Sequence, residues 1–186
     1  MPDIEQEIEQ ILSHSPVPED HLHGKGVKEW VLRLKPEADL ALQIAALAHD
    51  IERALPEKKV CRENYEDYDA FKQAHAQNSA RIVTDILSKY PLNAKLKRRV
   101  AYLIEHHEVG PDNDSDLSVL KEADSLSFFE TNLPHYFLRE GEEETLFRMR
   151  WGYERLSEQA RERVRKWRYE SDILNRIFRM CISSFR

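Results

Sequence analysis

Residues 40–50 read LALQIAALAHD. Nine residues, apolar but for Gln43, run into a histidine and an aspartate, His49 and Asp50. At helical spacing, His49 continues the stripe of Leu42, Ala45 and Ala46, and Asp50 continues that of Ala46 and Leu47. A helix this apolar is a buried helix, so its two polar residues point into a core. An unpaired charge in a core costs several kcal/mol or more. The stretch therefore predicts a central helix that delivers a buried polar pair to a compensating partner.

The same anomaly recurs along the chain. His23 shares a helical face with Val27, Trp30 and Val31. His75 lies on a face with Phe71, Ser79, Ile82 and Val83, His107 follows Val100 and Leu103, and Asp124 follows Leu117 and Leu120. Each histidine taken alone reads as a hydrogen-bonded core residue. Taken together, on five predicted helices, they are explained by one metal site, where cations compensate the carboxylates and neutral imidazoles become ligands. His21 is the rival of His23, with Lys25 as poorer company one turn on. His14 and His135 sit beside prolines and read as surface residues of loops.

The surroundings are helical throughout. The 186 residues contain only five glycines and are rich in Leu, Ala, Glu, Arg and Lys, which predicts an all-α protein. Helices are expected over 3–13, 21–34, 37–54, 65–89, 93–108, 115–130 and 171–184, with Ser115 as an N-cap, Pro134 opening a further helix and Gly141 marking a break. Residues 142–170 read as one long charged helix. Its arginines (Arg148, Arg150, Arg155, Arg161, Arg163, Arg165 and Arg168), interspersed with glutamates, suggest a solvated amphipathic face, with Trp151, Tyr153 and Trp167 packed on the core. The expected organisation is a single domain over 1–186, with a metal-binding core at about 20–130 and a helical extension at about 134–186.

A net charge of −6 argues against nucleic acid as a partner. Cys61 and Cys181 lack any CxxC spacing and read as free thiols of a reducing compartment. The acidic beginning, MPDIEQEIEQ, does not read as a signal peptide, and no run is long enough to span a membrane, so a cytoplasmic location is expected.

The order of these residues resembles the HD-domain superfamily of metal-dependent phosphohydrolases. The resemblance covers about residues 20–130. It rests on His23 in HGKGV, the pair His49-Asp50 in AALAHDIE, and Asp124 in KEADSLSFF. His75 in AHAQNSARIV and the pair His106-His107 in LIEHHE match the two-metal branch. The resemblance implies a helical bundle with two divalent ions, iron or manganese first, with zinc, nickel, cobalt or magnesium as alternatives. His23, His49, Asp50 and Asp124 would hold one ion. Asp50 would bridge to a second ion held by His75, His106 and His107.

The implied activity is hydrolysis of a small phosphoester, such as a nucleotide, by a hydroxide bridging the ions. Asp50 and Arg53 would be the catalytic pair, with Arg53 clamping phosphate and Lys25 and Lys28 as weaker candidates. Glu52 and Glu105 could orient ligands from behind. The chain departs from the cyclic-dinucleotide branch: HHE is followed by VGPDND, and the run after the HD pair reads HDIER. Two other readings fit a similar ligand set: a di-iron oxygenase resembling myo-inositol oxygenase or the phosphonate-cleaving oxygenases, and a non-catalytic sensing module.

Overall fold

A computed structural model describes residues 2–111 and 113–185. The fold is all-α, and no strand occurs among the described residues. The α-helices are α1 (Pro2–Leu12), α2 (Glu19–Leu34), α3 (Leu40–Ala48), α4 (Tyr68–Ser88), α5 (Ala94–His106), α6 (Ser115–Ser127), α7 (Leu133–Glu154), α8 (Glu158–Val164) and α9 (Asp172–Ser183).

Helix α3 is the centre of the bundle. It packs against α1, α2, α5 and α6, and Ala41, Leu42 and every residue from Ile44 to Ala48 are buried. Burying one leucine or isoleucine side chain stabilises by about 1.5–3 kcal/mol, so this short helix is held chiefly by packing. It starts at Asp39, whose carboxylate accepts a hydrogen bond from the Leu42 amide at 2.9 Å. The same device starts α4 at Asp67, α5 at Asn93, α8 at Ser157 and α9 at Ser171.

Four expectations are corrected. The helix predicted over 37–54 ends at Ala48, and His49-Asp50 form a junction with a 3₁₀ turn at Ile51–Ala54. The cap of α6 is Asp114 rather than Ser115: its carboxylate accepts from the Asp116 and Leu117 amides while also pairing with Arg99. His135 lies on α7 rather than in a loop, although it is exposed. The long helix predicted over 142–170 is two, because Ser157 restarts the chain as α8. The break expected at Gly141 is present, where φ is +81° inside α7.

The C-terminal helices do not stand apart. Helix α7 packs on α9 and on the π turn at Phe128–Asn132 that follows α6. Tyr153 and Phe129 are fully buried, and Trp167 packs on Trp30 of α2 with ring centroids 6.1 Å apart. Cys61 is exposed and Cys181 buried, and both are free. Among the described residues, no helix is long and apolar enough to cross a membrane.

Candidate metal centre

The junction after α3 sets the site. His49 keeps helical angles (φ −55°, ψ −33°), and Asp50 turns to φ −104°, ψ 16°. That region of backbone space is sparsely populated and recurs at active sites. The turn lets two consecutive side chains meet, with His49 Nε2 3.6 Å from Asp50 Oδ2.

Close helix approaches bring in the rest. A Cβ at Gly24 of α2 would lie 2.6 Å from the Leu47 carbonyl oxygen, and one at Gly26 would lie 2.6 Å from Ser127 Oγ. Only glycine lets α2 lie this near both α3 and α6. Between them, His23 Nε2 reaches within 3.2 Å of Asp124 Oδ1 and 3.9 Å of Asp50 Oδ2, and His49 Nε2 lies 3.6 Å from the same Asp124 oxygen. Asp50 turns its other oxygen to a second group. Oδ1 is 2.7 Å from His75 Nε2 and 3.8 Å from His107 Nε2, whose nitrogen lies 3.4 Å from Glu108 Oε1. Two buried groups with metal-ligand spacing result: His23, His49 and Asp124, and Asp50, His75, His107 and Glu108. Asp50 offers one oxygen to each.

The imidazoles share one orientation. His49 Nδ1 lies 3.0 Å from the Ala46 carbonyl and His107 Nδ1 2.7 Å from that of Ile104. A carbonyl oxygen only accepts, so both Nδ1 atoms carry the proton. His75 Nδ1 donates to Glu52 Oε1 at 2.7 Å. Ser127 Oγ donates to the His23 carbonyl at 3.1 Å and so accepts from His23 Nδ1 at 3.0 Å. Each neutral ring therefore turns a lone pair on Nε2 towards carboxylate oxygens. Outer hydrogen bonds of this kind fix the tautomer and aim of metal-binding histidines.

Without a cation, lone pairs facing carboxylates repel, which favours protonation of His49 and His75. Burial works against a charged His49, but Asp50 and Asp124 outweigh it and raise its pKa to about 8. Burial likewise opposes the charge on His75, and Asp50 overcomes it. His107 goes the other way, its pKa lowered chiefly by burial. Burial opposes ionisation of Asp50, yet Arg53, His49 and His75 keep it well below the usual carboxylate range. His49 Nε2, His107 Nε2 and Glu108 Oε2 are buried without a hydrogen-bond partner. An inward-facing set of nitrogen and oxygen donors with orphaned lone pairs fits iron, manganese, zinc, nickel or cobalt.

Over residues 3–177 the sequence matches the family described as a domain of unknown function, DUF4202. The chain belongs to that family. No curated protein and no solved structure matches it significantly. The DUF4202 match spans both histidine groups and the arginines that approach them from α7 and its end.

Six of the seven ligands expected from the DUF4202 chain's sequence converge: His23, His49, Asp50, His75, His107 and Asp124. His106 does not. It is the last residue of α5, half-buried, stacked on Tyr102 at 4.3 Å, with Nδ1 donating to the Tyr102 carbonyl. Glu108 takes the place expected for it. The signal was available, because Val100, Ile104 and Glu108 form one stripe at helical spacing, whereas His106 continues the polar stripe of Arg99 and Tyr102.

The expected phosphate clamp is also placed differently. Arg53 Nη1 is 2.7 Å from Asp50 Oδ2, so the guanidinium sits on the bridging carboxylate. Lys25 pairs with Glu9 and Lys28 with Glu5 of α1. Glu52 is buried and accepts hydrogen bonds from His75 and from Asn78 Nδ2, whereas Glu105 is exposed. His21 joins neither group.

Two arginines read as solvated are functional candidates. Arg155 Nη1 bonds Asp124 Oδ2 at 3.0 Å and Nη2 bonds the His107 carbonyl at 2.7 Å. Arg148 is buried, and its guanidinium stacks over Trp151 at 4.2 Å and Phe128 at 5.0 Å. Its Nη1 has no hydrogen-bond partner among the described residues. Arg148 lines a cleft of about 640 Å³ that reaches His23, His75 and Arg53 and carries the aromatic rings of Tyr68, Phe71 and Phe128.

Proposed function

We propose that this protein is a metal-dependent phosphohydrolase acting on a small phosphoester, a nucleotide among the candidates. The observation that carries the reading is the inward aim of four imidazole Nε2 atoms, each with Nδ1 committed to an outer acceptor, around a carboxylate that offers one oxygen to each group. The resemblance to HD-domain phosphohydrolases supports it through six shared positions. The cleft supplies what a phosphate needs: Arg148 offers an unpartnered, buried N–H group at its wall. Apolar rings beside it suit an organic leaving group.

A bound divalent ion supplies Lewis acidity towards a phosphoryl oxygen and lowers the pKa of coordinated water. The chain's own residues do the positioning. His23, His49, Asp50 and Asp124 would hold the ion, and Glu52 and Ser127 hold two of the rings by their outer nitrogens. Arg148 neutralises a non-bridging phosphate oxygen. The aromatic wall of the cleft excludes water from the far side of the ester. The oxygen of water becomes bonded to phosphorus and its proton passes to solvent, the ester P–O bond breaks, and the leaving oxygen takes a proton from solvent.

The test is release of inorganic phosphate or alcohol from a panel of mono- and diesters, with protein loaded with Mn²⁺ or Fe²⁺. Metal-dependent hydrolysis that is abolished in Asp50→Ala is expected. No hydrolysis of any ester, or turnover coupled to oxygen consumption, would overturn the reading, the latter in favour of an oxygenase.

A further inference from the structure

We propose that the two groups are unequal: one resident ion at His23, His49, Asp50 and Asp124, and the ammonium of Lys72 in place of a second ion at Glu108. This rests on the reading of the histidine groups as a metal centre, and not on the reaction catalysed there.

Lys72 lies one turn before His75 on α4 and is buried. Its Nζ pairs with Glu108 Oε1, the oxygen that faces His107 Nε2. The ammonium is held from its other sides by the rings of Trp151 at 5.3 Å and Tyr68 at 5.9 Å. A lysine in this position is a fixed cation inside the ligand set. It is not a surface charge that has folded inward, because cation–π contacts from two helices hold it when desolvated.

Two donor atoms of the second group are engaged from within: Asp50 Oδ1 lies 2.7 Å from His75 Nε2, and Lys72 takes Glu108 Oε1, while His107 Nε2 and Glu108 Oε2 have no hydrogen-bond partner among the described residues. In the first group, no Lys or Arg among the described residues pairs with Asp124 Oδ1, and the partners of His23 Nε2 and His49 Nε2 are carboxylates. Arg155 sits on the other oxygen of Asp124. Arg53 does touch Asp50 Oδ2, but from the cleft side with its own side chain part-exposed, and a carboxylate oxygen can accept a hydrogen bond while it ligates.

Charge points the same way. Five buried carboxylates (Asp20, Asp50, Glu52, Glu108 and Asp124) are met by three contacting cations, Arg53, Lys72 and Arg155. With neutral histidines, one divalent ion leaves this cluster about neutral and a second at about +2, and buried charge without a counter-ion is costly. One ion plus an ammonium is the occupancy nearest neutrality before an anionic substrate arrives.

The experiment is equilibrium dialysis of the full chain against excess Mn²⁺, with metal counted per folded chain for wild type, Lys72→Met and Lys72→Arg. The inference expects one ion in wild type, two in Lys72→Met, where the charge is gone and the length kept, and one in Lys72→Arg. Paramagnetic resonance of the wild type provides a second readout if Lys72→Met fails to fold: an isolated Mn²⁺ signal is expected. Two ions or an exchange-coupled pair in wild type overturns the inference and leaves the phosphohydrolase reading intact. A single ion in folded Lys72→Met overturns it as well. No ion in wild type overturns the metal centre altogether.

Discussion

The two ligand groups meet at Asp50 but are neutralised in different ways. His23 and His49 face one oxygen of Asp124 across 3.2 and 3.6 Å, and Arg155 occupies its outward oxygen. His75, His107 and Glu108 are threaded by a lysine and by a direct 2.7 Å bond between His75 and Asp50. Identical residue types therefore make two environments, one short of a cation and one supplied with its own. A count of histidines and carboxylates does not give the number of ions; the basic side chains that reach the same atoms must be counted too.

The largest effect is expected where the groups join. Asp50→Ala removes an oxygen from each group, and metal affinity should fall more than about 100-fold, beyond what the loss of an outer hydrogen bond to a ligand causes. Calorimetric titration with Mn²⁺ checks this. Asp124→Ala and His107→Ala then separate the groups: at one equivalent of Mn²⁺ the first should bind almost none and the second should retain its ion. Equal losses would erase the distinction between them.

Intermediate effects belong to the surroundings. Arg148→Ala should lower kcat/KM by about 10- to 100-fold while leaving metal content unchanged, the scale of one charged hydrogen bond. His106→Ala should change both quantities by less than about twofold, as at other positions outside the site.

The smallest effect concerns the frame. Asp114 caps α6 and pairs with Arg99 of α5, joining the helix before His107 to the helix that carries Asp124. Asp114→Ala should destabilise the fold by about 1 kcal/mol, the cost of a lost cap. The Arg99 hydrogen bonds, the capped amides and the Arg99 charge outweigh burial and hold the Asp114 pKa at about 2, below its ordinary 3.8. Its contribution is therefore complete above the ordinary value and lost as pH falls towards 2. Urea unfolding from pH 5 to 2 should lose less stability in Asp114→Ala than in wild type.

Much of this was legible in the chain. LALQIAALAHD announced the central buried helix, because a nearly unbroken apolar run has only one place to go. Polar residues on apolar stripes gave His23, His75, His107 and Asp124, since burial there demands a partner. The apolar stripe of Val100 and Ile104, continued past the end of α5, reaches Glu108 rather than His106. What stayed hidden was tertiary. Nothing local marks Lys72 as buried, because its neutralising partner, Glu108, lies far along the chain in the turn after α5. Arg148 and Arg155 sit in a run of arginines whose solvated members look the same, and only tertiary contacts, Arg148 on Trp151 and Phe128 and Arg155 on Asp124, set these two apart. The end of α3 at Ala48 was likewise unmarked by glycine or proline.

The most direct test is anomalous diffraction from crystals soaked in Mn²⁺. The account predicts a manganese peak bonded to Nε2 of His23 and His49 and to the carboxylates of Asp50 and Asp124, with Lys72 still on Glu108. Absence of a peak at those four side chains, in crystals with the ion present in excess, would contradict it.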